Sequence, residues 1–293
     1  MAIFEEVTRA KSKARIAVVG PSGSGKTVSS LYLAYGITGD WSKVALIDTE
    51  HERGRFYAER SDLNTGKFMY AAMQPPYTPE KYIDYVRSAA EVVGENGVVI
   101  VDSFSHCWDN EGGVLDIKAQ IAKRPGKTDY TAWDEAGKIQ NNLVNTILSA
   151  NCHTIVTMRT KMSYAMEVND RGKTVPVKIG LAPVQRDNVE YEFDMCFQID
   201  RQHIACLSKD TTFLDGWSGI ITPEIGRQLG EWLNEGVEPP RCQDCGEIIT
   251  SCKSGTVKEI INKSMDKYKR QLCVKCINKL YKAETAKEKS NNE

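Results

Sequence analysis

The sequence predicts an α/β fold: a doubly wound, mostly parallel sheet with an added β-hairpin, followed by a small cysteine-rich C-terminal domain. Three observations predict it. Short apolar, β-branched runs alternate with helical patterns through the first half of the chain. Between the first strand and the first helix, Gly20-Pro21-Ser22-Gly23-Ser24-Gly25-Lys26-Thr27 fits the phosphate-binding pattern G-x-x-x-x-G-K-[ST] at every fixed position. Near the end, the pairs Cys242/Cys245 and Cys273/Cys276 each have C-x-x-C spacing and are separated by 27 residues.

A chain of 293 residues with 41% hydrophobic content can bury one full core and still leave a small second domain. No run approaches the roughly 20 apolar residues of a membrane span, and the first residues lack the apolar segment of a signal peptide. A cytoplasmic location and no membrane partner are therefore expected. The formal net charge of −1 conceals an asymmetry. Residues 241–293 carry 12 Lys/Arg against 7 Asp/Glu, which leaves 26 against 32 for residues 1–240. General attraction of the acidic part to nucleic acid is thereby excluded, so any such binding must come from local patches.

Taken in order, residues 1–13 read as a charged arm whose Phe4 and Val7 suit packing either on the core or on a neighbouring subunit. Arg15 to Val19 is a buried strand and Val28 to Ile37 a helix, so the loop between them meets a helix N-terminus, where backbone N–H groups and the helix dipole favour an anion. Lys26 is expected on the β- and γ-phosphates of a nucleoside triphosphate and the Thr27 hydroxyl on Mg²⁺. Lys43 to Ile47 is a second strand ending in Asp48-Thr49-Glu50-His51-Glu52, carboxylates on the ligand side of an open sheet. Thr78-Pro79-Glu80 supplies an N-cap, a first helical position and an acidic first turn for a helix to about Val93. Val98 to Val101 then forms a strand closed by Asp102, whose carboxylate is expected to hold Mg²⁺ through a water opposite Thr27.

Residues 103–127 read as a long irregular loop, Trp133 to Ala150 as a helix and His153 to Met158 as a fourth strand. Met162 to Val168 and Thr174 to Ile179 flank Asn169-Asp170-Arg171-Gly172-Lys173 as a hairpin, decorated by Lys161, Arg171, Lys173 and Lys178. Strands at Met195 to Ile199 and His203 to Leu207, a helix from Pro223 to Asn234 and a linker at residues 236–240 complete the larger part. Cys107, Cys152, Cys196 and Cys206 lie singly in or beside apolar runs and are expected to be buried small hydrophobes. Cys242, Cys245, Cys273 and Cys276 are expected to bind one structural Zn²⁺, since a module this small cannot fold on its own core; a helix from Ile277 to Ala283 at the second pair is treble-clef-like. Cys252 is given no ligand role.

Gly20 to Thr27, Ile47-Asp48-x-Glu50-His51, Tyr57-Ala58, Ile100-Val101-Asp102-Ser103 and Arg159-x-Lys161 resemble, in order and spacing, the ATPase core of RecA. Tyr191-Glu192-Phe193-Asp194 and the cysteine module make the chain similar to bacteriophage RecA-like ATPases of the Sak type, which act in single-strand annealing and recombination. The core resemblance covers roughly 14–215, and the expected organisation is a RecA-like ATPase domain over 14–235, a linker at 236–240, a four-cysteine zinc module over 241–285 and a flexible tail at 286–293. It implies ATP, Mg²⁺ and Zn²⁺ as cofactors, and Glu50 as general base or water-positioning carboxylate, acting with Lys26. Single-stranded DNA is the implied partner, contacted by residues 110–127 and by Lys161, Tyr164, Arg171, Lys173 and Lys178. A homo-oligomer and a single-strand-binding protein as a further partner are also implied, in the host cytoplasm if the protein is phage-encoded. A nucleotide-switched assembly or adaptor protein and a small-molecule P-loop kinase remain the competing classes; for the kinase, no tight arginine cluster is present.

Overall fold

A computed structural model describes residues 6–168 and 174–290. The chain divides into two compact units, Lys13–Leu233 and a smaller one made of Met1–Ser12 with Asn234–Glu293. The expected Asn169–Lys173 turn, with Arg171 and Lys173, and Phe4 of the arm lie outside the described residues.

The larger unit is built on β1 (Arg15–Gly20), α1 (Lys26–Thr38), β2 (Val44–Asp48), β3 (Met69–Ala72), α2 (Pro79–Val93), β4 (Val98–Asp102), α3 (His106–Asp109), α4 (Val114–Ala122), α5 (Asp129–Leu148), β5 (His153–Val168), β6 (Thr174–Pro183), β7 (Met195–Ile199), β8 (Ala205–Asp210), β9 (Ser218–Gly219) and α6 (Pro223–Leu233). Among the described residues the sheet order is β3-β2-β4-β5-β1-β7-β8-β9, with β6 paired to β5 alone. The first six strands of that order run parallel, and β8 runs antiparallel to both of its neighbours, β7 and β9.

The parallel strands read as unbroken apolar runs because both faces of the sheet are covered. Ala17, Val19, Ile47, Val99 and Val101 face Tyr82, Ile83 and Val86 of α2 and Leu143, Val144 and Ile147 of α5. Their alternate neighbours Ile16, Val18, Leu46, Val98 and Ile100 face Leu31, Leu33 and Ala34 of α1 and Leu229 and Leu233 of α6. Helices α1 and α6 approach so closely that a Cβ on Gly36 would lie 2.0 Å from the Pro223 carbonyl oxygen. No helix among the described residues is long and apolar enough to cross a membrane.

Four features differ from the sequence-based expectation. Residues 103–127 are not an irregular loop but hold α3 and α4, with Trp108, Val114 and Ile121 buried. β3 is not legible in the sequence: four residues, Met-Tyr-Ala-Ala, alternate exposed and half-buried at the sheet edge and carry too little apolar signal. The fourth strand and the first arm of the hairpin are one strand, β5, so the hairpin grows directly out of the core sheet. Cys206 is exposed rather than buried, whereas Cys107, Cys152 and Cys196 are buried as expected.

In the smaller unit, Ala10 pairs with Val237 in a parallel bridge. α7 (Val257–Tyr268) opens on a capping box in which the Thr256 hydroxyl and Glu259 carboxylate exchange hydrogen bonds with each other's backbone N–H. α8 (Val274–Ser290) follows. Ile249, Ile260 and Leu272 form its small apolar centre together with Cys242 and Cys273.

Candidate nucleotide-binding and hydrolysis site

The parallel register brings the ends of four strands to one edge. Asp48 stands beside Asp102, and Gly20 beside Arg159. From β1 the chain turns through Gly20–Gly25 into α1, as the phosphate-loop pattern requires. Gly25 has φ +88°, a left-handed conformation that strains any other residue, and a Cβ there would press on the His203 ring at 3.0 Å. At Gly20 a Cβ would lie 2.5 Å from the Ile199 carbonyl oxygen and 2.7 Å from Ser24 Oγ. That Ser24 hydroxyl is buried with no hydrogen-bond partner, and Ser22 is exposed at the loop tip. A loop shaped by glycines, with a buried orphan hydroxyl and a helix N-terminus behind it, fits the phosphates of a nucleotide.

Lys26 is buried and folds back on the loop, its Nζ donating to the carbonyls of Gly20 at 3.0 Å and Pro21 at 2.9 Å. Burial pushes its pKa down, against the raising effect of Asp102 and Glu50. The Thr27 hydroxyl donates to Asp102 Oδ2 at 2.5 Å, and the Thr157 hydroxyl to Asp102 Oδ1 at 2.5 Å. Burial raises the Asp102 carboxyl above the usual range, and the two threonines offset this in part. Thr27 and Asp102 are thus in direct contact, an oxygen-only donor pair of the kind Mg²⁺ takes beside nucleotide phosphates. When bound there, the ion would neutralise charge developing on the phosphates.

The two carboxylates that follow β2 have different tasks. Asp48 is consumed by structure: it accepts from the backbone N–H of Glu50 at 2.5 Å and of Gly54 at 2.7 Å, and from the Tyr70 hydroxyl at 2.9 Å. Glu50 instead points at the site. Arg159 grips it with Nε on Oε1 at 2.8 Å and Nη2 on Oε2. His106 Nε2 lies 3.8 Å from Oε1. Burial acts to raise the Glu50 carboxyl, but the hydrogen bonds and charge of Arg159, with the Lys26 charge, outweigh it and hold the group below the usual carboxylate range.

Residues 12–220 match the AAA domain family. The chain belongs to that family. It is accordingly a P-loop nucleotide-binding ATPase, and the resemblance to RecA and to Sak-type proteins is finer than this match. No curated protein matches the chain.

Within this AAA domain several residues of the site carry no mark of it in the sequence. Thr157 looks like any polar residue inside a strand, and only the register reveals that it faces Asp102. His106 falls in a stretch that reads as irregular loop. His203 reads as the start of a strand, but it sits in the β7–β8 turn at φ +66°, and its Nδ1 donates to the Ser24 carbonyl at 3.0 Å. Of the expected DNA contacts, Lys161 is exposed, and Tyr164 stands opposite Lys178 in the β5–β6 ladder.

Cys242, Cys245, Cys273 and Cys276 come together, with all four sulfurs within 4.8 Å of one another. The Cys242 turn is closed by Gly246 N–H donating to the Cys242 carbonyl at 2.8 Å, and Cys276 lies in the first turn of α8. Cys245 Sγ and Cys273 Sγ are 3.6 Å apart, close to the roughly 3.8 Å edge of a tetrahedron with metal–sulfur bonds of about 2.3 Å. Burial pushes the Cys242 thiol up, but backbone N–H groups of Cys273, Cys245 and Asp244 outweigh it and bring it down to about 6. Four sulfurs at this spacing, one already inclined to the thiolate, fit Zn²⁺.

Proposed function

We propose that the chain hydrolyses ATP to ADP and phosphate and couples that turnover to single-stranded DNA, in phage-type recombination or strand annealing. Lys26 carries the β/γ-phosphate charge, Thr27 and Asp102 hold Mg²⁺, and Glu50 orients or deprotonates the attacking water. Cys242, Cys245, Cys273 and Cys276 hold a structural Zn²⁺.

The observation that carries the DNA reading is the position of Arg159. It is the last residue of β5 paired to β1, opposite Gly20, and Thr160 already pairs with β6 in the hairpin. The same side chain grips both oxygens of Glu50. A carboxylate so engaged has both oxygens turned to a cation rather than to water, so load on the hairpin reaches the hydrolytic carboxylate through one residue. Lys161, Tyr164, Arg171, Lys173 and Lys178 would meet the strand, with phosphates on the cations and a base on the tyrosine. In the smaller unit, Lys267, Arg270 and Lys275 are paired with Glu284, Asp244 and Glu247. The hairpin is taken as the DNA reader because it continues the strand that carries Arg159. Self-association and a single-strand-binding protein as partner belong to the same reading.

ATP turnover with and without an unstructured DNA oligonucleotide tests it. Stimulation is expected. Replacing both Arg171 and Lys173 with Ala should lower oligonucleotide affinity and flatten its logarithmic salt dependence by about 0.7 for each phosphate no longer neutralised. An unstimulated rate with nucleotide-dependent assembly would favour the switched adaptor, and phosphate transfer to a small acceptor the kinase. If the hairpin variant binds normally and deletion of residues 241–293 abolishes binding, the cysteine module is the reader.

A further inference from the structure

His106 is a buried imidazole, 2% exposed, beside Glu50, and the hydrolysis proposed above gives it no role. Its ring is held on two sides and its backbone is fixed. The Tyr77 ring packs against it with centroids 5.3 Å apart. Its backbone is fixed in α3, just after Ser105, whose Oγ accepts from the Arg159 N–H at 2.9 Å. Its Nδ1 lies 2.7 Å from the Thr49 hydroxyl.

That hydroxyl is the hydrogen-bond partner of Nδ1. Thr49 Oγ1 accepts from the Ser103 N–H at 2.8 Å, so its own proton goes either to the Ser103 carbonyl at 3.3 Å or to His106 Nδ1 at 2.7 Å. We assign it to the shorter contact. Nδ1 is then an acceptor, and in the neutral ring the single N–H is on Nε2, the nitrogen 3.8 Å from Glu50 Oε1. Burial and the Arg159 charge both push the imidazole toward its neutral form.

Arg159 Nε holds the same oxygen, Oε1, at 2.8 Å. Once Arg159 withdraws, that oxygen is left without its donor. His106 Nε2 lies 3.8 Å from it and needs a closure of about 1 Å to make a normal hydrogen bond. We propose that His106 is a positioning residue for hydrolysis: relayed through Ser103 and Thr49, its Nε2–H takes over Oε1 when Arg159 lets go, leaving Oε2 to face the water. This rests on the reading of Glu50 as the hydrolytic carboxylate.

Full-length protein with ATP, Mg²⁺ and a DNA oligonucleotide provides the test, comparing two amides. Asn at 106 can reach Thr49 but has nothing at the Nε2 position, whereas Gln can place its amide N–H there. His106→Asn should lower kcat about tenfold with KM for ATP within about twofold, and His106→Gln should restore most of the rate. In a Glu50→Gln background His106→Asn should cause no further loss, because the group it aims is gone. Thr49→Val, which removes the proton that fixes the tautomer, should also lower kcat and serves as the test if an imidazole variant fails to fold. Wild-type kcat in His106→Asn or Thr49→Val, equal losses in the two amides, or an additive loss with Glu50→Gln overturns the inference alone. Wild-type turnover in Glu50→Gln overturns the Glu50 reading and this inference with it.

Discussion

Among the described residues, the sheet of the larger unit is covered on its two faces by apolar clusters of 23 and 19 buried residues, whereas the cluster of the smaller unit has five, and two of those are Cys242 and Cys273. The nucleotide site therefore sits on a frame that is stable for reasons unrelated to it. The phosphate loop hangs from β1 and α1, and the side chains that would touch a ligand contribute little to the core. In the cysteine module, site and core are the same atoms. So small a core offsets little of the backbone entropy of some fifty residues, at about 1–2 kcal/mol per residue, and a metal on the four cysteines, as proposed, would add what the core lacks. Removing a ligand-binding side chain should silence the first unit and dissolve the second.

The largest expected effect follows from that difference. Stripping metal with a chelator under reducing conditions, or changing Cys242 or Cys276 to Ser, should unfold the cysteine module completely. The metal contribution in comparable small sites is on the order of 10 kcal/mol. The cooperative unfolding of the larger unit should persist at an unchanged midpoint. Metal analysis should find about one zinc per chain. Amide exchange in α7 that stays protected after chelation would break the comparison.

Next in size are the losses of function without loss of fold. Lys26→Ala removes the cation expected on the phosphates and deletes only two hydrogen bonds to loop carbonyls. Nucleotide binding or turnover should vanish while the melting transition of the larger unit moves by a few degrees at most. Glu50→Gln should bind ATP normally and slow hydrolysis by roughly 10²–10⁴-fold, the usual worth of a positioned base. A Lys26→Ala protein that unfolds would show that the phosphate loop is part of the frame after all.

The same contrast explains which features the sequence displays openly. Gly20–Thr27 and the four cysteines are legible because their chemistry demands fixed spacing along the chain, and Asp102 because an apolar strand ends on it. The Glu50–Arg159 grip and the Thr27–Asp102–Thr157 contact are not, because they join residues between 55 and 109 positions apart and depend on strand order. α3 and α4 are hidden for another reason. Gly112, Gly113 and Gly126 surround them and read as loop, yet Gly112 has φ +77° and Gly113 is the N-cap of α4, so the glycines punctuate short helices. Thr256-x-x-Glu259 does carry a helix-start signal for α7 that composition alone obscures.

The smallest predicted effect concerns acid, and it separates the two units by which group protonates. His153 is buried at the start of β5 and its Nδ1 accepts the Ala14 N–H at 3.0 Å. Burial, with Lys13 and Arg15 nearby, pushes its pKa down to about 3 from an unfolded value of 6.5. The unfolded chain therefore takes up a proton below pH 6.5 that the folded chain refuses. The stability this group contributes is present above that pH and is lost as pH falls toward 3, at no more than about 1.4 kcal/mol per pH unit. His106, also pushed down by burial, adds to the slope in the same direction. Between pH 6.5 and 5.5 most carboxylates stay ionised, so histidines dominate the change in the larger unit, while in the cysteine module protons compete with metal for the thiolates. His153→Asn can keep an acceptor for Ala14 N–H and cannot titrate. Urea unfolding of the larger unit should then lose less stability per pH unit in the variant than in the parent, by up to the one proton that His153 accounts for. Equal slopes would mean that His153 is already protonated or solvated in the folded chain, and that the frame under the nucleotide site is less dry than its packing implies.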